Sequence, residues 1–286
     1  MMKLIALDLD GTLLNNKSII SNENRAAIRY AQNKGVEITI STGRPHFDVC
    51  SICKKANIST HIIGNNGASI HFKDKKKLYS IGIDKNDVKE ILHWLTDKNF
   101  YYEVSTNKAI YTPFNGKDML KIEADKVISS NPKSVNIEEI YESCEKQLIQ
   151  SGFVFVNNYK EILSKDDDFY NILAFSFDEK KRKASMDYFK NLDKFSVFSS
   201  GDHNFEIVNK HTSKGASLER LARNLNISLE ETMAFGDNYN DISMFEKVNY
   251  SVAMGNADKN IKSICKLVAD TNYNNGVAKM IYKFIG

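Results

Sequence analysis

Apolar and polar positions fall along this chain in blocks. Leu4-Ile5-Ala6-Leu7 is apolar without a break up to the carboxylate of Asp8, the pattern of a short strand buried on both faces of a parallel sheet. Ser21 can cap a helix over residues 22–34, in which Ala26, Ala27, Ile28 and Ala31 recur at helical spacing and Gly35 offers a left-handed end. Val36-Glu37-Ile38-Thr39-Ile40 predicts a second strand that runs into Ser41-Thr42-Gly43-Arg44, with Pro45 placed to open a helix. His61-Ile62-Ile63 predicts a third, ending in Gly64-Asn65-Asn66-Gly67. The first 80 residues therefore have the order βαβαβ, which opens a doubly wound parallel sheet.

The same order returns near the far end. It predicts a helix over residues 213–226, a strand over 231–235 closed by Gly236-Asp237, a helix over 238–248, and short strands at 251–254 and 267–269. Between about 83 and 208 the texture changes. Helical stretches near 85–98 and 179–192 each precede paired β-rich runs, 101–106 with 109–114 and 195–199 with 205–209, the latter joined by the turn residues Gly201-Asp202-His203-Asn204. Runs at 153–156 and 172–177 add strands. The expectation is an α/β protein whose Rossmann-like doubly wound core, residues 1–82 and 209–286, carries an inserted α+β domain, residues 83–208, made of two similar helix-hairpin units.

Composition excludes classes of protein more than it adds. The 286 residues, 42% hydrophobic and 26% charged, rule out collagen-like, disordered and coiled-coil chains and suit two domains. Lys plus Arg (39) exceeds Asp plus Glu (36) by 3, too small a surplus to point to nucleic acid or an acidic membrane. Cys50, Cys53, Cys144 and Cys265 are too sparse for a disulfide framework and suit reduced thiols. Asp8 and Asp10 interrupt the first apolar run before a signal-peptide core forms, and no later run nears the roughly 18 residues of a membrane span. A soluble, cytoplasmic protein is expected. The Cys50-x-x-Cys53 spacing falls in a helical stretch and predicts packing. The six histidines show no ligand spacing, with His203 and His211 expected at a turn or surface, and the run Lys73-Asp74-Lys75-Lys76-Lys77 predicts a solvated loop.

Ligands of open α/β sheets bind outside the carboxyl ends of the strands. There this chain collects Asp8-Leu9-Asp10-Gly11-Thr12, Ser41-Thr42-Gly43-Arg44 and Gly236-Asp237-Asn238-Tyr239-Asn240-Asp241, with Lys214 at a helix N-terminus. Carboxylates for a hard cation, a hydroxyl, backbone donors and one ammonium make a phosphate site. Asp8 and Asp10, two apart on an extended segment, are expected to face one side, where ionising both is opposed by about 4 kcal/mol at ~4 Å and an effective dielectric of ~20.

Asp8-x-Asp10-Gly11-Thr12, Thr42-Gly43-Arg44, Lys214 and Gly236-Asp237-x-x-Asn240-Asp241 resemble, in order, the four motifs of the haloacid dehalogenase-like phosphatases. Asn65-Asn66-Gly67-Ala68, Val252-Ala253-Met254-Gly255-Asn256-Ala257 and Asn275-Gly276-Val277-Ala278 resemble the Cof-type subgroup, which carries a large C2B-type cap between the second and third motifs. The resemblance spans essentially the whole chain. It implies Asp8 as nucleophile, Asp10 as general acid and then base, and Mg²⁺ held by Asp8, Asp237 and the Asp10 backbone carbonyl. It further implies that Lys214, the Thr42 hydroxyl, the Leu9 and Gly43 amides and the Asn240 side chain hold the phosphoryl group, with Arg44 and Asp241 as supporting residues. The insert would serve as a lid that excludes water and selects a small phosphorylated metabolite, sugar phosphates first, then FMN or pyridoxal phosphate. A phosphomutase and a non-catalytic phospho-ligand-binding module remain as alternatives.

Overall fold

Each apolar run that ends in a polar cluster is a strand in the computed structural model, which describes residues 2–130, 151–201 and 203–286. Cys144 and the Asp202 of the expected turn lie outside the described residues. The chain forms two compact units, Met1–Ser80 with Thr212–Gly286, and Ile81–His211. In the first, β1 (Leu4–Leu7), β2 (Glu37–Ser41) and β3 (His61–Gly64) alternate with helices Asn22–Asn33 and His46–Ala56. Ser21 accepts the Asn24 N–H as a cap. Cys50 and Cys53 lie in the second of these helices, Cys53 packed in the core. Next come β4 (Ser69–His71) and β5 (Lys77–Ser80), an antiparallel pair the apolar pattern did not show. The lysine-rich run forms their turn and is exposed throughout, as expected; Lys73 Nζ donates to both Glu37 oxygens at 2.8 and 3.0 Å on the surface, and Lys77 begins β5.

In the second unit helix Lys85–Asp97 leads to β6 (Tyr101–Thr106) and β7 (Ile110–Pro113), and helix Gly116–Ser130 follows. Then come β8 (Phe153–Val156), helix Tyr159–Leu163 and β9 (Phe169–Phe175), before helix Glu179–Lys190 leads to β10 (Phe195–Phe198) and β11 (Asn204–Asn209). The sheet order is β10-β11-β9-β6-β7-β8. Antiparallel β9 and β6 lie at its centre with a helix-hairpin unit contributing to each side, and β8 breaks the likeness by running parallel to β7. Alternation along the strands buries Tyr102, Val104, Ile172, Ala174, Phe205 and Ile207 in one cluster and leaves Tyr101, Glu103, Asn171 and Glu206 on the opposite face. His203 lies at the turn before β11 with its ring 4.8 Å from that of Phe177, while His211 is exposed.

Helix Lys214–Asn224, β12 (Thr232–Gly236), helix Ile242–Phe245, β13 (Tyr250–Ala253), helix Lys259–Ile264, β14 (Leu267–Val268) and helix Gly276–Ile285 complete the first unit. Its sheet has the order β14-β13-β12-β1-β2-β3-β4-β5, parallel from β14 to β3. Alternate residues of β1 feed two cores. Ile5 and Leu7 pack with Val49, Phe235 and Ile281, Leu4 and Ala6 with Leu218, Leu221 and Met244. Helices thus cover both faces, and the strand order reverses between β1 and β12, where a doubly wound sheet opens its ligand crevice. Among the described residues no helix is long and apolar enough to cross a membrane.

Candidate active site

Asp8 follows β1 and Asp237 follows β12, the two strands at the reversal. Beyond Asp8 the chain does not stay extended. Leu9–Leu13 is a wide turn closed by the Leu14 N–H on the Leu9 carbonyl at 2.9 Å, with Gly11 at φ +78°. A Cβ on Gly11 would lie 2.3 Å from Asp237 Oδ2, so the turn passes Asp237 only because that residue is glycine. Thr12 Oγ1 donates to Asp237 Oδ1 at 2.9 Å.

This turn overturns the expected crowding of Asp8 by Asp10. The Asp10 side chain is 56% exposed and is gripped by Arg44, whose Nε and Nη2 each donate to it at 2.7 Å. Arg44 Nη1 donates to the buried Asp48 at 2.8 Å, which fixes the guanidinium from behind. Asp8 is crowded instead by Asp237 and Asp241, one oxygen of each of the three lying within 4.8 Å of the others. Lys214, capped into its helix by Ser213, is enclosed and donates to Asp8 Oδ1 at 2.7 Å and to Asp241 Oδ1 at 2.6 Å. The other oxygen of Asp241 accepts the main-chain N–H groups of Asp237 and Asn238 at 3.0 and 3.1 Å. Asp241 therefore braces the Gly236-Asp237 turn and neutralises Lys214. The Asn238–Asp241 capping box opens the segment here, which is shorter than the expected helix over 238–248: a single turn, Tyr239–Asp241, then the four residues Ile242–Phe245.

Three carboxylates facing one ammonium leave negative charge uncompensated. Burial first, and then the charges of Asp241 and Asp237, hold Asp8 well above the usual carboxylate range against the pull of Lys214. Asp237 is pushed up to about 7 by burial and by Asp241. Burial disfavours the Lys214 charge, but the two aspartates outweigh it and raise its pKa. Hard oxygen donors with unmatched charge, closely grouped, fit a divalent cation of the Mg²⁺ type.

Around this cluster Thr42 is buried, its hydroxyl accepting the Arg44 N–H at 3.2 Å. Asn240 Nδ2 donates to Asn66 Oδ1 at 3.0 Å, and Asn66 also flanks Gly43. Leu9 sends its side chain into the core, so any polar contact it makes comes from its main chain. The structure thus gathers Asp8, Asp237, Asp241 and Lys214, joins Gly43 and Asn240 through Asn66, and sets Asp10 and Arg44 apart as a more exposed pair. Sequence reasoning gave no role to Asn66, to Thr12 against Asp237, or to Asn256, whose Nδ2 donates to the Gly11 carbonyl at 2.8 Å. The only signal was the presence of these residues in motif strings, since their roles depend on turns that bring distant segments together.

The sequence matches the haloacid dehalogenase-like hydrolase family over residues 5–281. The chain belongs to that family. Over 282 residues it is 47% identical to the phosphatase YwpJ of Bacillus subtilis, the match covering 98% of this chain and 99% of the relative. It is 36% identical over 280 residues to the 5-amino-6-(5-phospho-D-ribitylamino)uracil phosphatase YwtE of the same organism, covering 98% of this chain and 97% of that one. A solved haloacid dehalogenase-like hydrolase from B. subtilis matches with a TM-score of 0.86 at 47% identity, covering 98% of this chain and 99% of that one. The resemblance carried by the four motifs is borne out, as is the α/β class with a parallel core; this haloacid dehalogenase-like hydrolase places its motif carboxylates at the strand reversal.

Proposed function

We propose that this hydrolase removes phosphate from small phosphorylated metabolites, with Mg²⁺ as cofactor and Asp8 as the transient phosphoryl carrier. That it is a phosphoric monoester hydrolase rests on its family and its phosphatase relatives. The finer reading is carried by one observation: Lys214 holds Asp8 Oδ1 beside Asp237 and Asp241 at the strand reversal.

With Oδ1 held by Lys214, Asp8 Oδ2 is the oxygen that attacks phosphorus. The bond to the ester oxygen breaks, and Asp10 gives its proton to that leaving oxygen. Asp10 then takes a proton from the water that attacks the aspartyl-phosphate, which releases inorganic phosphate and restores Asp8. In the structure both Asp10 oxygens accept from Arg44, so the acid step requires Asp10 to leave that pair and carry its proton to the leaving oxygen. The Thr42 hydroxyl, the Leu9 and Gly43 amides and the Asn240 amide hold the non-bridging oxygens, and Lys214 offsets charge as it builds. Asp8, Asp237 and the Asp10 carbonyl are the groups that would hold Mg²⁺, which supplies Lewis-acid neutralisation of the phosphoryl group. Choice of substrate is assigned to the inserted domain. Sugar phosphates are the first candidates, then FMN and pyridoxal phosphate, and the phosphorylated ribityl compound named for YwtE belongs beside them.

The test is phosphate release from a panel of these esters by the purified full chain. Release without an activating bisphosphate, lost in excess EDTA, restored by Mg²⁺ and lost in Asp8→Asn while the fold is kept, is expected. Full activity in EDTA or in Asp8→Asn overturns the mechanism. Phosphoryl transfer without net release indicates a mutase, and no turnover on any ester indicates a binding module.

A further inference from the structure

The loop that leaves β3, Asn65-Asn66-Gly67, has three successive residues at positive φ, +50°, +55° and +104°, all buried. Asparagine and glycine are the residues that adopt this region most readily, so the sequence permits the turn, and the surroundings hold it in one shape. The surroundings here come from segments far apart in sequence. The Asn65 N–H donates to the Arg44 carbonyl at 3.0 Å and the Asn66 N–H to the Thr42 carbonyl at 2.9 Å. Asn66 Oδ1 accepts from Asn240 Nδ2 at 3.0 Å, and its own Nδ2 would lie 3.2 Å from a Cβ built on Gly43. The Gly67 carbonyl accepts from Ser217 Oγ at 2.6 Å, within the helix that Lys214 opens.

We propose that Asn66 is a positioning residue for phosphoryl recognition, acting through the Asn240 amide. The inference rests on the phosphatase reading above. A side-chain NH₂ has two protons in one plane; when Asn66 takes one, the direction of the other is set. Asn240 is then held with a donor, rather than its carbonyl oxygen, toward the phosphoryl site. Without Asn66 the amide turns about its broad, two-fold χ2 and presents an acceptor that repels the phosphoryl oxygens.

Asn66→Gly removes the contact while leaving a residue that favours positive φ, so the loop keeps its shape. Its kcat is expected to fall roughly tenfold with KM little changed, against on the order of 10²-fold for Asn240→Ala, the lower range for one lost transition-state donor. The double variant is expected to match Asn240→Ala alone, because the two residues act as one unit. Asn66→Gly should still show a cooperative thermal transition well above the assay temperature, so that the lost kcat is not lost fold. An unchanged kcat, or losses that multiply in the double variant, overturns the proposal. Activity that survives Asp8→Asn would instead overturn Asp8 as the phosphoryl carrier, and no turnover on any ester would overturn the phosphatase reading on which the inference rests.

Discussion

Lys214 owes its position to two opposite demands. An enclosed ammonium requires counter-charges, and Asp8 and Asp241 supply them at 2.7 and 2.6 Å. The same ammonium is the cation nearest the attacking carboxylate. Replacing it by a neutral side chain of similar length therefore acts on stability and on rate together. Lys214→Met strands buried carboxylates and is expected to cost about 3–5 kcal/mol in urea unfolding at neutral pH. It should lower kcat by on the order of 10²–10³-fold. A variant that keeps both stability and rate would remove Lys214 from the site.

At the scale of elements, the helix that carries Lys214 is seated by its second residue. A Cβ on Gly215 would lie 1.8 Å from the Ser243 carbonyl oxygen, so Gly215→Ala must push helix Lys214–Asn224 off its neighbour. The expected cost is about 1–3 kcal/mol, as for other overpacked sites, with an activity loss larger than unfolding explains because Lys214 moves too. Gly35→Ala is the control: at φ +81° with nothing within 4 Å of the added carbon, it should cost only about 1–2 kcal/mol of backbone strain and leave kcat intact. Elements were legible in the sequence where one signal dominated. Leu4–Leu7 is an unbroken apolar run, and Asn22–Asn33 has both a serine cap and a glycine stop. The strands Ser69–His71 and Lys77–Ser80, the latter at the sheet edge, were not legible, being three and four residues long with polar residues at both ends. Helices such as Gly116–Ser130 and Gly276–Ile285 also escaped the pattern. In the site, the identities of Asp8, Asp10, Lys214 and Asp237 were legible as motifs. The pairing of Asp10 with Arg44 rather than against Asp8 was not, because it follows from a left-handed Gly11 that period-two reasoning cannot represent.

For the whole molecule, each unit has its own core, so each can be followed separately. The single tryptophan, Trp94, is half-buried and packs against the core of the inserted unit, and its fluorescence reports that unit's unfolding. The same unit encloses Glu103, whose Oε1 accepts the Tyr101 hydroxyl at 2.7 Å. Burial, with the Glu206 charge adding to it, pushes Glu103 up to about 8 from 4.5. Between those values the folded unit holds a proton that the unfolded chain releases. The stabilisation is thus complete at the acid end and is lost as pH rises through about 8. Urea unfolding followed by Trp94 fluorescence should give a midpoint that falls from pH 6 to pH 8.5. Glu103→Gln, which keeps an acceptor for Tyr101 but cannot ionise, should flatten that fall. Raising Mg²⁺ from a level that just sustains activity to a saturating one should raise the unfolding midpoint followed by loss of activity while leaving the Trp94 transition in place, since the carboxylates that fit it all belong to the other unit. A Trp94 midpoint that is flat with pH in the unmodified protein would mean that Glu103 keeps its ordinary acidity, and a shift of that midpoint by Mg²⁺ would mean that the two units unfold as one.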